Sequence, residues 1–231
     1  MTIVVIGSEK GGTGKSTISN SFARRAMDEE GVSSVILVDT DSTSSSANWG
    51  AIRASLETEP LVQVVQIIDA PTRSIIELSE HYDVVIVDIG ARDYSKLKDL
   101  ARVADLWVAP TQVGQNDLNS TIRLYEAFQT SNQGHFRGHI PIGVLFNKVA
   151  QAWNSSEEKD AREFLLEQCP GMYVFSSAIK ERKAWRDAGR IGSGITEMPA
   201  SSTAKARDEF EAFFQEAMTF MQNTAKKGAR K

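Results

Sequence analysis

The chain has 231 residues, 41% of them apolar, with a formal charge of −4 and a pI near 5.5; this suits one globular domain with a sizeable core. Cys169 is the only cysteine, which excludes an internal disulfide and a cysteine-ligated cluster built within one chain, and fits a reducing cytoplasm. No apolar run approaches the ~20 residues that cross a bilayer and no basic leader opens the chain, so a protein neither secreted nor membrane-spanning is expected.

In chain order, a β-branched run, TIVVI (2–6), leads into the glycine-rich stretch GSEKGGTGKST (7–17). The segment that follows spaces Ile18, Phe22, Ala26 and Met27 on one helical stripe and stops at Gly31, a natural C-cap. SVILVD (34–39), LVQVVQII (61–68), DVVIVD (83–88) and DLWVAP (105–110) come next. A second helical pattern carries Leu118, Ile122, Tyr125 and Phe128, and IPIGVLF (140–146) and MYVFS (172–176) complete the strands. Residues 203–222 form an amphipathic helix with Phe210, Phe213, Phe214, Ala217, Met218 and Met221 on its apolar side, which predicts core packing. Most of the strand runs are continuously apolar, as in strands covered on both faces. Alternating strands and helices imply right-handed crossovers, hence an α/β fold with a doubly wound, mostly parallel sheet flanked by helices. The expected organisation is a single domain over 1–222 and a basic, flexible tail over 223–231.

The stretch at 7–17 is placed at a strand-to-helix turn, on the sheet edge where such folds bind ligands. Gly11, Gly12 and Gly14 let the backbone curl so that successive N–H groups, those of Thr13 and Thr17 among them, face a phosphate. Lys15 is suited to neutralise β- and γ-phosphates, and the Ser16 hydroxyl to ligate Mg²⁺. Strand, loop, lysine, hydroxyl and helix in this order make a P-loop for ATP, although Glu9 stands where the motif has its first glycine. Lys10 is a second lysine that phosphate binding alone does not require. A further ammonium can offset charge on the transferred phosphoryl group, as an arginine finger does.

EKGGTGKST resembles the deviant phosphate-binding motif of the ParA/MinD family of ATPases, in which the first glycine is commonly another residue. The resemblance implies that Lys10 reaches across a nucleotide-sandwich homodimer to the phosphates bound by the other subunit. ILVDTDSTSSSANW (36–49) is similar to the family's switch I, with Asp41 implied to orient the attacking water and Asp39 to support the metal site. Ser42 and Thr43 replace the usual Pro-Gln there. YDVVIVD (82–88) reads as a Walker B strand that ends in Asp88, placed to hold Mg²⁺ or its water. Pro110 and Asp117 fall in a family pattern near the nucleotide and dimer interface, with a helix N-cap as the alternative for Asp117. Asn147 is implied to contact the adenine edge, which its amide suits.

Charge is unevenly distributed: residues 179–231 hold eleven Lys/Arg against seven Asp/Glu, the remainder 15 against 23. The chain starts at its first strand, so an N-terminal helix-turn-helix is not expected, and it resembles the short plasmid-partition type. That resemblance implies an ATP-bound dimer on double-stranded DNA without sequence preference, a ParB-type adaptor that provokes release, and a cytoplasmic, nucleoid-associated protein. Lys180, Arg182, Lys183, Arg186, Arg190, Lys205 and Arg207 are the candidates for DNA phosphate contacts. A MinD-like membrane regulator is the first alternative, but the acidic polar side of 203–222 suits an anionic bilayer poorly. A metabolic P-loop enzyme is the second. His81, His135 and His139 show no metal-ligand spacing and are expected at the surface.

Overall fold

Seven short strands assemble into one parallel sheet, whose five inner strands are apolar and buried on both faces while the two edge strands are only partly covered. The computed structural model describes residues 1–90, 94–131, 140–151 and 156–228. The strands are β1 (Thr2–Ile6), β2 (Val35–Asp39), β3 (Gln63–Gln66), β4 (Val84–Asp88), β5 (Leu106–Thr111), β6 (Ile142–Val149) and β7 (Tyr173–Lys180). They lie in the order β3-β2-β4-β1-β5-β6-β7, every pairing parallel. Strand order reverses around β1, so the crevice at its carboxyl end lies at the topological switch point. The register sets Ile6 beside Asp88 and Asp88 beside Asp39, which aligns the ends of three strands along one edge.

Helices cover both faces. One core packs α3 (Pro71–Ser79), α4 (Tyr94–Ala101), α5 (Gln115–Ser131) and α6 (Glu157–Gln168) on the sheet through Ile75, Leu97, Leu118, Phe128 and Leu165. The other packs α1 (Lys15–Ala26), α2 (Ser45–Ser55), α7 (Lys183–Arg190) and α8 (Ala200–Gly228) through Ile18, Phe22, Trp49, Trp185 and Phe214. The apolar stripe of α8 is in this core, with Phe210, Phe213, Phe214 and Ala217 fully buried. The helix runs to Gly228, so positions 223–228, expected as tail, continue it, and Thr224 is buried. His81 is exposed; His135 and His139 lie outside the described residues. Among the described residues, no helix is long and apolar enough to cross a membrane.

Two ionic ties that the periodicity did not announce join α1 and α2 to the C-terminal third. Arg25 forks onto both carboxylate oxygens of Glu211 at 2.8 and 2.7 Å while its guanidinium covers the Phe214 ring at 4.6 Å. Arg53 on α2 is 1% exposed and donates to Pro60 O, Gly192 O and both oxygens of Glu197. Arg24 of α1 meets the same Glu197 at 2.6 Å. Burial alone would push the Glu197 carboxyl up, but hydrogen bonds from Arg53, Arg24 and the Gly194 amide outweigh it and hold the carboxyl below its ordinary value.

Removing one partner of a buried pair strands the other and costs about 3–5 kcal/mol, whereas an exposed i,i+4 pair is worth about 0.5 kcal/mol. Arg53→Met is therefore expected to lose at least about 3 kcal/mol in urea unfolding, while Arg73→Met, at the exposed pair with Glu77, changes it by less than about 0.5 kcal/mol. Equal midpoints for the two variants would show that the Arg53 cluster ties nothing together.

Candidate functional site

β1 ends at Ile6 and α1 begins at Lys15, and between them the chain folds into a loop whose carbonyls are held outward by side chains from distant strands. Asn147 Nδ2 donates to Thr13 O at 2.7 Å, Lys148 Nζ to Gly12 O at 2.6 Å and Gln112 Nε2 to the same oxygen at 3.3 Å. Lys15 Nζ bonds Lys10 O at 3.0 Å, and the Ser8 and Thr13 hydroxyls meet at 2.8 Å. Gly14 has φ +92°, and a Cβ there would lie 2.3 Å from Asn147 Nδ2, so only glycine fits. As the N-cap of α1, Gly14 supplies no side-chain cap, which leaves the first-turn amides of the helix to an anion.

The loop and the start of α1 wall a cavity of about 550 Å³, to which Gly12, Lys15, Ser16, Thr17, Asp41 and Thr43 contribute. Lys15 is buried, and desolvation lowers its pKa against the opposing pull of Asp88 and Asp41. Asp88 is 1% exposed, and burial pushes its carboxyl up to about 6 despite hydrogen bonds from Ser46 and Ser16 and the charge of Lys15. The Ser46 hydroxyl lies 2.7 Å from both Asp88 Oδ2 and Asn20 Oδ1. One hydroxyl and one carboxylate side by side fit Mg²⁺, which takes most of its ligands from phosphates and water. The described residues contain no group of three or more His, Cys, Asp or Glu that could hold a metal ion.

Asp39, expected to support the metal site, lies beside Asp88 and is held by the backbone. Its Oδ1 accepts the Asp41 amide at 2.9 Å and its Oδ2 accepts those of Ser46 and Ala47 at 2.9 Å, so the carboxylate is committed to backbone and caps the start of α2. Asp41 is on the rim of the cavity, takes the Thr43 amide at 2.9 Å and packs where a Cβ on Gly90 would come within 3.1 Å of its Cγ.

Lys10 points the other way, to α5, where its Nζ meets Asp117 Oδ2 at 2.5 Å. Asp117 is the third residue of α5 rather than its N-cap; its carboxylate is buried and its Oδ1 has no hydrogen-bond partner. Glu9, the residue in place of the first glycine, accepts from Ser120 Oγ at 2.8 Å and from Arg123 Nη2 at 3.2 Å, which anchors the loop to α5.

A second cavity of about 290 Å³ continues from the first and is bounded by Asn147, Lys148, Lys180, Arg182, Trp185 and Arg186. Asn147, expected at an adenine edge, bounds this cavity; it donates one N–H to Thr13 O and its Oδ1 accepts the Lys148 amide. The basic candidates separate into two groups. Arg182 is locked to Glu209 at 2.5 and 3.1 Å, Arg207 donates to Met198 O, and Lys180 faces the second cavity. Lys183, Arg186 and Arg190 are exposed on α7, opposite its buried Ala184, Trp185 and Ala188, and Lys205 is exposed on α8. The sequence did not single out Lys148, Ser46 or the contacts of Glu9 with α5; distance from the loop in sequence concealed the first two.

A model of the CobQ/CobB/MinD/ParA nucleotide-binding domain matches residues 4–193. An ATP complex of a McdA variant from Cyanothece superposes with a TM-score of 0.75 at 20% identity, over 95% of this chain and 96% of that one. A ParA family ATPase from Chlorobium tepidum TLS gives 0.68 at 15% identity over 93% and 98%. The septum site-determining protein MinD with Mg-ADP from Pyrococcus horikoshii OT3 gives 0.63 at 17% over 90% and 93%. A search of curated protein sequences found no match. At these identities the structural likeness is one of fold, and the match over residues 4–193 carries the assignment: the chain belongs to the CobQ/CobB/MinD/ParA nucleotide-binding family.

Proposed function

We propose that this ATPase is a ParA-type positioning switch: ATP drives a sandwich homodimer onto double-stranded DNA without sequence preference, and hydrolysis provoked by a ParB-type adaptor releases it. The observation that carries the reading is Lys10, a loop lysine that pairs with Asp117 on α5 at 2.5 Å and does not line the cavity of its own loop. In this reading the loop amides and Lys15 hold the β- and γ-phosphates, and Ser16 with Asp88 holds Mg²⁺, which neutralises developing charge when bound. Asp41 orients the attacking water from the cavity rim. Lys10 leaves Asp117 for the phosphates of the partner protomer, so that dimer closure and catalysis are coupled.

The DNA surface in this reading is α7 with Lys205 of α8. Spacing at 183, 186 and 190 sets three cations on one helical face. Their local partners, Glu181 and Asp187, sit at 3.3–3.7 Å in exposed pairs that contribute little, so DNA phosphates can replace them. Membrane anchoring through α8 is disfavoured because its apolar face is occupied by the core.

The primary test is binding to arbitrary duplex DNA with ATP, ADP or neither across a salt series. Salt-sensitive binding that requires ATP supports the switch, and its absence in every state removes the DNA role. Reversing Arg186 and Arg190 to Glu is expected to flatten the slope of log affinity against log salt by about 0.9 per phosphate contact removed; an unchanged slope would move the DNA surface off α7. Lys10→Ala is expected to bind ATP as a monomer, fail to dimerise by light scattering, and lose turnover about 10³-fold. A normal ATP-dependent dimer would remove its role in trans. Asp41→Ala is expected to keep ATP and DNA binding while turnover falls at least about 100-fold, and wild-type hydrolysis would contradict the assignment.

A further inference from the structure

Lys148 sits at the end of β6 with φ +56°, in the left-handed region that a lysine adopts at a cost of about 1–2 kcal/mol. The register between β6 and β7 slips between Asn147 and Val149, so this is a bulge, a device that re-aims a side chain beside a site. In a strand otherwise buried, Lys148 is the one exposed position. Glycine would make the same turn without strain, and strain retained by a charged residue at a cavity points to use of its side chain.

The bulge sends the ammonium over the phosphate-binding loop, 2.6 Å from Gly12 O, with Cε 3.7 Å from the position of a Cβ on Gly14. Lys148 lines both cavities, and Gly14, Thr17 and Gly189 are shared between them in the same way. It therefore marks the junction between the space that holds the loop, Lys15 and Ser16 and the space bounded by Trp185. Among the described residues it forms no ion pair, in contrast to Lys10, and its ammonium is held by a neutral carbonyl. A phosphate oxygen is the stronger acceptor for an ammonium, since charge-assisted hydrogen bonds are about twice as strong as those to neutral groups.

We propose that Lys148 is a nucleotide ligand supplied by the same protomer, which exchanges the Gly12 carbonyl for the α-phosphate when nucleotide enters. The inference rests on the reading of residues 7–17 as an ATP site. The α-phosphate is the group that must occupy the junction if β- and γ-phosphates fill the loop and the nucleoside fills the second cavity. Lys148 is then a binding residue that acts equally on ADP and ATP, distinct from Lys10, which acts on hydrolysis.

The test compares wild type, Lys148→Gln, Lys148→Arg and Lys148→Gly by titration calorimetry with ADP and with ATP, together with thermal unfolding of the nucleotide-free proteins. Loss of one charge-assisted contact predicts that Lys148→Gln and Lys148→Gly bind both nucleotides about tenfold more weakly and by the same factor. Lys148→Arg is expected to restore most of the affinity. Lys148→Gly is expected to unfold at an equal or higher temperature than wild type, which separates loss of a ligand from loss of a brace on the loop. In phosphorus NMR of bound ADP, Lys148→Gln is expected to move the α resonance and leave the β resonance in place. Wild-type affinity in Lys148→Gln, a loss confined to ATP, or a shift of the β resonance alone would overturn the proposal. Failure of the wild-type protein to bind either nucleotide would instead overturn the ATP-site reading on which it rests.

Discussion

Two carboxylates are buried in register across adjacent strands, Asp39 at the end of β2 and Asp88 at the end of β4, 0% and 1% exposed. Unsolvated charges at that spacing cost several kcal/mol each unless they are hydrogen-bonded or neutralised. The fold answers differently for the two. Asp39 takes three backbone amides, and in doing so fixes where α2 starts and how the 40–46 segment leaves the sheet. Asp88 keeps hydroxyl partners and the nearby Lys15, a softer solution that leaves its pKa displaced toward neutrality. One acid thus shapes the segment that carries Asp41, and the other is left poised for a cation.

The glycine-rich loop shows the complementary arrangement. A phosphate cradle needs its amides free, which means its carbonyls must be satisfied elsewhere. Here Asn147, Gln112 and Lys15 take that part, each reaching a carbonyl of the loop from β6, from the end of β5 or from α1. Pre-orientation of this kind lowers the ordering cost of ligand binding, and it ties the loop to the side of the sheet where the second cavity opens.

Much of this was legible in the sequence, for physical reasons that also explain where legibility stopped. Continuous β-branched runs can be buried only in a two-sided parallel sheet, so all seven strands and the fold class could be read directly, with β6 and β7 extending three and four residues beyond their apolar runs. The phosphate-binding loop was legible because its chemistry is local: glycines, lysine and hydroxyl within a few residues. What depends on distant partners was not. The three amides that hold Asp39 and the Thr13 carbonyl that Asn147 meets come from other segments, and nothing in the sequence around either residue announces them. The bulge at Lys148 leaves no trace in an apolar pattern, and Arg53, an arginine in a helix, gave no sign that it would be buried against Glu197. Basic residues near the C-terminus looked like one surface, but Arg182 and Arg207 are consumed internally and Lys180 faces the second cavity, while Lys183, Arg186 and Arg190 are displayed on α7 and Lys205 on α8.

The joint between α1 and α8 has a mechanical consequence. Arg25 is forked onto Glu211, the Phe22 ring centroid lies 4.7 Å from that of Phe214, and Arg24 shares Glu197 with Arg53 of α2. The helix that begins at the phosphate loop is therefore firmly mounted at its far end, which limits how far it can shift in response to a bound anion. Displacement must be taken up at the softer edges of the cavity: the exposed Ser42 and Thr43 on one side and the Lys10–Asp117, Glu9–Ser120 and Glu9–Arg123 contacts on the other. A rigid anvil with two yielding rims converts small changes in the ligand into movement at the surface on either side, where another molecule can feel it.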